Sequence, residues 1–75
     1  MYKERDPELI KFGANLRAIR VGHGYSQQYV ADVCGISRTY LSKVENGAQS
    51  ATVQLCFRLA EVYELHISQL FEGIE

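Results

Sequence analysis

Apolar residues recur at steps of three and four along most of the chain, the signature of amphipathic helices rather than strands. The first such run is Leu9, Phe12, Leu16 and Ile19. It opens beside Asp6-Pro7-Glu8, where Asp6 suits a helix cap, Pro7 the fixed φ of a first helical residue, and Glu8 the positive end of the helix dipole. Gly22 and Gly24 mark its end. Ser26 then caps a shorter helix carrying Val30, Ala31 and Cys34, with Tyr25 placed to staple onto Val30. Gly35 interrupts that helix after two turns.

Ser37 caps a third helix, with Tyr40, Leu41 and Val44 inward and Asn46-Gly47 as its stop. A polar loop leads to a cap at Thr52 and a fourth helix whose inward face reads Val53, Cys56, Leu59, Ala60 and Tyr63. A last turn or two, from His66 to Glu72, carries Ile67, Leu70 and Phe71. Strand alternation, glycine-rich phosphate loops and repeats do not occur. The pattern predicts an all-α fold with the short connections usual in helical bundles.

The second and third helices form a helix-turn-helix candidate. Ala31 is small where two helix axes must cross closely, and Gly35 stands where the chain turns sharply with a positive φ. Val30, Cys34, Ile36, Leu41 and Val44 supply the apolar contacts that fix the angle between the helices. What remains on the third helix is polar: Arg38, Ser42 and Asn46 at steps of four, flanked by Thr39 and Lys43. A helix needs a face of this kind to enter a DNA major groove. Arg38 is a donor fork suited to guanine O6 and N7, Thr39 offers a methyl or a hydroxyl, and Lys43 reaches a base or a phosphate. An ordinary solvated helix face has the same composition, so the stripe alone leaves both readings open.

The segment from Ser26 to Gly47, SQQYVADVCGISRTYLSKVENG, resembles the helix-turn-helix family of phage repressors, Cro proteins and bacterial XRE-type regulators. The similarity runs from about Phe12 to Phe71 and takes in Asn-Leu-Arg-x-x-Arg at 15–20, the Leu59-Ala60 pair and the closing Leu70-Phe71. Arg-Thr-Tyr-Leu-Ser at 38–42 in a short chain further resembles restriction-modification controller proteins. The resemblance implies a compact five-helix domain of the lambda-repressor-like type and a homodimer on a two-fold symmetric operator. It implies that Arg38, Thr39, Ser42 and Lys43 read bases, and that Gln27, Ser37, Tyr40 and Asn46 contact DNA phosphate. Arg20 and Glu45 match a structural ion pair joining the first helix to the end of the third. Glu64 stands where the family commonly has Gly, which predicts a fourth helix running slightly longer, and His66 replaces the usual Ser or Asp cap of the last helix. Leu55 and Val62 lie off the expected inward face. With Tyr63, Ile67, Leu70, Phe71 and Ile74 they are the expected dimer interface, within a dimerisation region at 53–75.

Composition bounds the alternatives. Seventy-five residues make one domain, with residues 1–6 expected as a tail, and a core of this size gains from an oligomer interface. The longest apolar runs fall far short of a membrane span, and the N-terminus lacks a secretory signal's apolar stretch, so a cytoplasmic location is expected. Cys34 and Cys56 are isolated, as are His23 and His66. Free thiols, no metal, no cofactor and no small-molecule ligand are therefore expected, and neither a nucleophile motif nor a carboxylate pair suggests an enzyme. Net charge is −1, but residues 1–47 carry +2 and residues 48–75 carry −3. A modest basic face cancelled by an acidic back keeps DNA as a partner and leaves the acidic end for dimer and RNA polymerase contacts. The competing class is an antitoxin-like or coactivator-like module whose main partner is a protein, with DNA binding secondary.

Overall fold

A computed structural model describes residues 6–74. It contains α1 (Pro7–His23), α2 (Gln27–Cys34), α3 (Arg38–Glu45), α4 (Val53–Val62) and a terminal 3₁₀ helix (Ile67–Phe71). Each α-helix starts at a side-chain cap that satisfies an otherwise orphaned N–H. Asp6 accepts from the Glu8 N–H, Ser26 from Tyr29, Ser37 from Tyr40 and Thr52 from Leu55, all at 3.0 Å. Apart from Asp6, the expected tail at 1–6 lies outside the described residues. Gly22 stays inside α1, and Gly24 ends it in the left-handed conformation. Gly35, at φ 72°, closes α2, its own N–H and that of Ile36 turning back to carbonyls of α2.

The core is shared by all five elements: Phe12 and Leu16 from α1, Val30, Ala31 and Cys34 from α2, Leu41 and Val44 from α3, Leu55, Cys56, Leu59 and Ala60 from α4, then Tyr63 and Leu70. α1 packs on α3, α2 on both α3 and α4, and the 3₁₀ helix fills the gap between α1 and α4. Cys34 and Cys56 are buried free thiols, and burial pushes both above the ordinary thiol range. No helix among the described residues is long and apolar enough to cross a membrane.

The structure corrects the expected architecture in four places. Among the described residues the fold has four α-helices rather than five. The last element is a five-residue 3₁₀ helix because the Asn15 amide takes the carbonyls of Leu70 (3.0 Å) and Glu72 (2.8 Å), pinning this segment to α1 instead of letting an α-helical ladder continue. His66 is an effective cap after all: its Nδ1 accepts from the Ser68 N–H, and the Gln69 side chain accepts from the His66 N–H at 2.8 Å. On α4 the inward face is rotated at its start, so Leu55 is buried while Val53 is 71% exposed.

The fourth correction concerns Glu64. α4 does not run on; it stops at Val62, and Glu64 adopts φ 54°, a left-handed conformation that a Cβ disfavours. The Leu65 N–H still reaches back to the Ala60 carbonyl at 2.9 Å, so the chain reverses as it would with glycine. The expected consequence is that Glu64→Gly raises stability by about 0.5–1 kcal/mol and the melting temperature by a few degrees. A thermal melt showing a lower melting temperature would contradict the strain at this position.

Candidate nucleic-acid interface

α3 presents two unlike faces. Leu41, Val44 and Glu45 are buried, whereas Arg38, Thr39 and Lys43 are exposed and Ser42 is half-buried. Among the described residues, neither Arg38 nor Lys43 enters an ion pair. The α3 acid, Glu45, is turned inward, so the outward face is wholly cationic and neutral. Eight helical residues rise about 12 Å.

The position of α3 is set from behind by the Glu45 carboxylate, whose side chain is fully buried. Arg20 grips it as a fork, Nε to Oε2 at 2.8 Å and Nη2 to Oε1 at 3.1 Å. Arg20 Nη1 also donates to the Tyr25 carbonyl at 2.9 Å, so one guanidinium ties α1 to the start of the helix-turn-helix and to its end. The hydrogen bond to Glu45 raises the Arg20 pKa further, against the opposing effect of desolvation. Gln27, the first residue of α2, donates its amide to Glu45 Oε1 at 3.0 Å. Arg17 Nε lies 3.7 Å from the same oxygen, and Arg17 Nη2 donates to Asn46 Oδ1 at 2.7 Å. The expected pair is thus a cluster of two arginines, one glutamine and one carboxylate.

Two glycines allow that approach. A Cβ on Gly13 would collide with the main-chain carbonyl oxygens of Val44 and Glu45, and one on Gly47 would come within 2.6 Å of the Ile10 Cα. α1 therefore lies directly against the end of α3, and no larger residue fits at Gly13. Behind the cluster, Tyr63 is buried with its hydroxyl unpartnered among the described residues. Burial pushes its phenol well above the ordinary range, with the Glu45 charge adding to the shift and Arg20 opposing it.

The residues expected at phosphate are distributed around this frame. Ser37 caps α3, and Asn46 closes it while accepting from Arg17. The Tyr40 hydroxyl donates to the Ser50 carbonyl at 3.2 Å, tying α3 to the following loop. Sequence reasoning missed Arg17, Gly13, and Arg58, whose Nη1 donates to the Cys34 carbonyl at 3.0 Å and caps α2 from α4. The spacing of Arg17 and Arg20, three apart on one helix face, was the available signal for the first. A glycine amid the α1 apolar stripe was the signal for the second.

Burial also amends the expected dimer surface. Leu55, Tyr63 and Leu70, expected at the dimer surface, lie instead in the core of the described residues, at most 3% exposed. Val62, Ile67 and Ile74 are half-buried against that core, and Phe71 stacks on Phe12 with centroids 4.8 Å apart while keeping an exposed edge. Val53 and Phe57, not expected there, are exposed on α4. Val53, Phe71 and Ile74 rim a groove of about 280 Å³ floored by Phe12 and Cys56.

Residues 16–70 match the HTH_3 helix-turn-helix family model. The chain belongs to this family. The HTH_3 domain is similar to the restriction-modification controller protein C.AhdI from Aeromonas hydrophila, with a TM-score of 0.85 and 32% identity over 88% of this chain and 100% of that one. It resembles the N-terminal DNA binding domain of SinR from Bacillus subtilis at 26% identity and a TM-score of 0.76, covering 85% of this chain and 96% of that one. A putative HTH-type transcriptional regulatory protein from Pyrococcus horikoshii is 38% identical over 74 residues, 85% of this chain but 24% of that relative. The chain thus spans about a quarter of that relative's length.

The Glu45 cluster makes a direct prediction. Glu45→Ala leaves Arg20 largely buried without its partner, and the expected loss is about 3–5 kcal/mol in urea unfolding. A loss below about 1 kcal/mol would show that the carboxylate does not hold the helices together.

Proposed function

We propose that the chain is a sequence-specific DNA-binding transcriptional regulator acting as a homodimer, with α3 of each subunit in successive major grooves of a two-fold symmetric operator. The observation that carries this reading is the composition of α3's open face: Arg38, Thr39 and Lys43 exposed, Ser42 beside them, and the helix's acid buried. With Glu45 taken up by Arg20 and Gln27, the open face carries cations and neutral donors with no carboxylate to repel a polyanion, which is what a groove-entering helix needs. The similarity to C.AhdI and to the SinR DNA-binding domain supports the same reading.

In this reading Arg38 forks to a guanine, Thr39 and Ser42 meet adjacent base edges, and Lys43 reaches a base or its phosphate. Gln27, Ser37, Tyr40 and Asn46 position the domain on the backbone, a role that fixes register without reading sequence. Gln27 does so with its side chain braced on Glu45. The whole of 1–75 acts as one domain, and its 53–75 region pairs the subunits. Val62, Ile67, Phe71 and Ile74 remain as the interface, joined by Val53 and Phe57, whose exposed apolar surface is costly in a domain this small.

Arg38→Ala is expected to weaken binding to a selected duplex by about 1–3 kcal/mol and to relax preference at one base pair per half-site. Titration of wild type and variant against duplexes changed one base pair at a time reads both effects. Unchanged affinity and unchanged preference would remove Arg38 from base reading.

A further inference from the structure

Arg17 belongs to none of the base-reading or phosphate assignments above and stands only at the rim of the Glu45 cluster, yet its placement is specific. Its side chain is 51% exposed, in contrast to Arg20 at 13%, although both converge on Glu45. Two arginines around one carboxylate leave a net positive charge at the junction of α1, the start of α2 and the end of α3. Arg20 is consumed by that junction: it donates to Glu45 through two nitrogens and to Tyr25 through the third. Arg17 is not. One nitrogen donates to Asn46 Oδ1, a second faces Glu45 beyond hydrogen-bonding distance, and its remaining N–H groups have no acceptor among the described residues.

The direction of that charge follows from α3. Arg38, Ser42 and Asn46 stand at steps of four on one helix face, and the Asn46 side chain carries the Arg17 guanidinium. Arg17 thereby extends the outward row by one position beyond the helix end, supplying a cation where α3 itself has none after Lys43. A guanidinium held on one side by a neutral amide and a buried carboxylate, and open on the other, is preorganised for a planar, two-point grip on an anion. We infer that Arg17 is a DNA-backbone anchor, binding a phosphate at the edge of the groove that α3 occupies. This rests on the DNA-binding reading above and adds a contact made from α1, by a guanidinium that Asn46 and Glu45 hold at the end of α3.

The test compares wild type, Arg17→Gln and Arg17→Lys on a selected duplex and on a random-sequence duplex of equal length, each over a range of salt concentrations. Arg17→Gln is expected to weaken both by about tenfold near 0.1 M salt and to make the slope of log affinity against log salt shallower by about 1, with sequence preference unchanged. Arg17→Lys is expected to keep the slope, because the charge remains. Arg17→Met, which retains the packed alkyl stem, gives the same slope reading if Arg17→Gln folds poorly in a thermal melt. A wild-type slope in folded Arg17→Gln or Arg17→Met overturns the role of Arg17 alone. A wild-type chain that binds neither duplex overturns the DNA-binding reading with it.

Discussion

A carboxylate buried inside a 75-residue domain is the constraint on which the rest of this fold depends. An isolated charge there costs several kcal/mol, and only close, well-shaped partners offset it. Glu45 finds them on two other elements: the Arg20 fork on α1 and the Gln27 amide at the first turn of α2. Because the acid is the last residue of α3, this fixes the helix end against the helix start that precedes it. A purely apolar contact would tolerate sliding; a forked ion pair does so far less. The rigidity matters for α3, whose eight residues are too few to hold a conformation without tertiary support.

The same cluster sorts charge. It withdraws an acidic group from the α3 surface and draws in Arg20, while Arg17 stays at the rim. Residues 48–75, which carry −3, contribute α4 and the 3₁₀ helix, and among the described residues α1 and α3 carry every lysine and arginine except Arg58. A net charge near zero therefore says little about this molecule's field. It still restrains nonspecific affinity for a polyanion, so geometry and base contacts must supply much of any tight binding.

Much of this was legible in the sequence because it follows from local chemistry. The caps at Asp6, Ser26, Ser37 and Thr52, the turn at Gly35, and the polar stripe of α3 each need only a few neighbouring residues to be read. The Arg20–Glu45 pair came from resemblance, not from spacing. What remained hidden depends on contacts across the fold. Val53 and Leu55 differ by two positions on α4, and which one faces inward depends on where α2 and the 3₁₀ helix press. Glu64 is a good helix former forced into a left-handed turn because Tyr63 and Leu65 must both reach the core. Asn15 converts the last helix to 3₁₀ from 55 residues away, through a bond to Leu70. Local propensity carries no trace of such a partner.

In the proposed function a fixed α3 reads DNA in a symmetric pair. Selection of bound duplexes from a random pool, followed by sequencing, tests it most directly. The expected product is an enriched inverted repeat whose half-sites lie about one helical turn, or a multiple of one turn, apart. A pool that stays random after repeated rounds, or one enriched in a single asymmetric element, would contradict it.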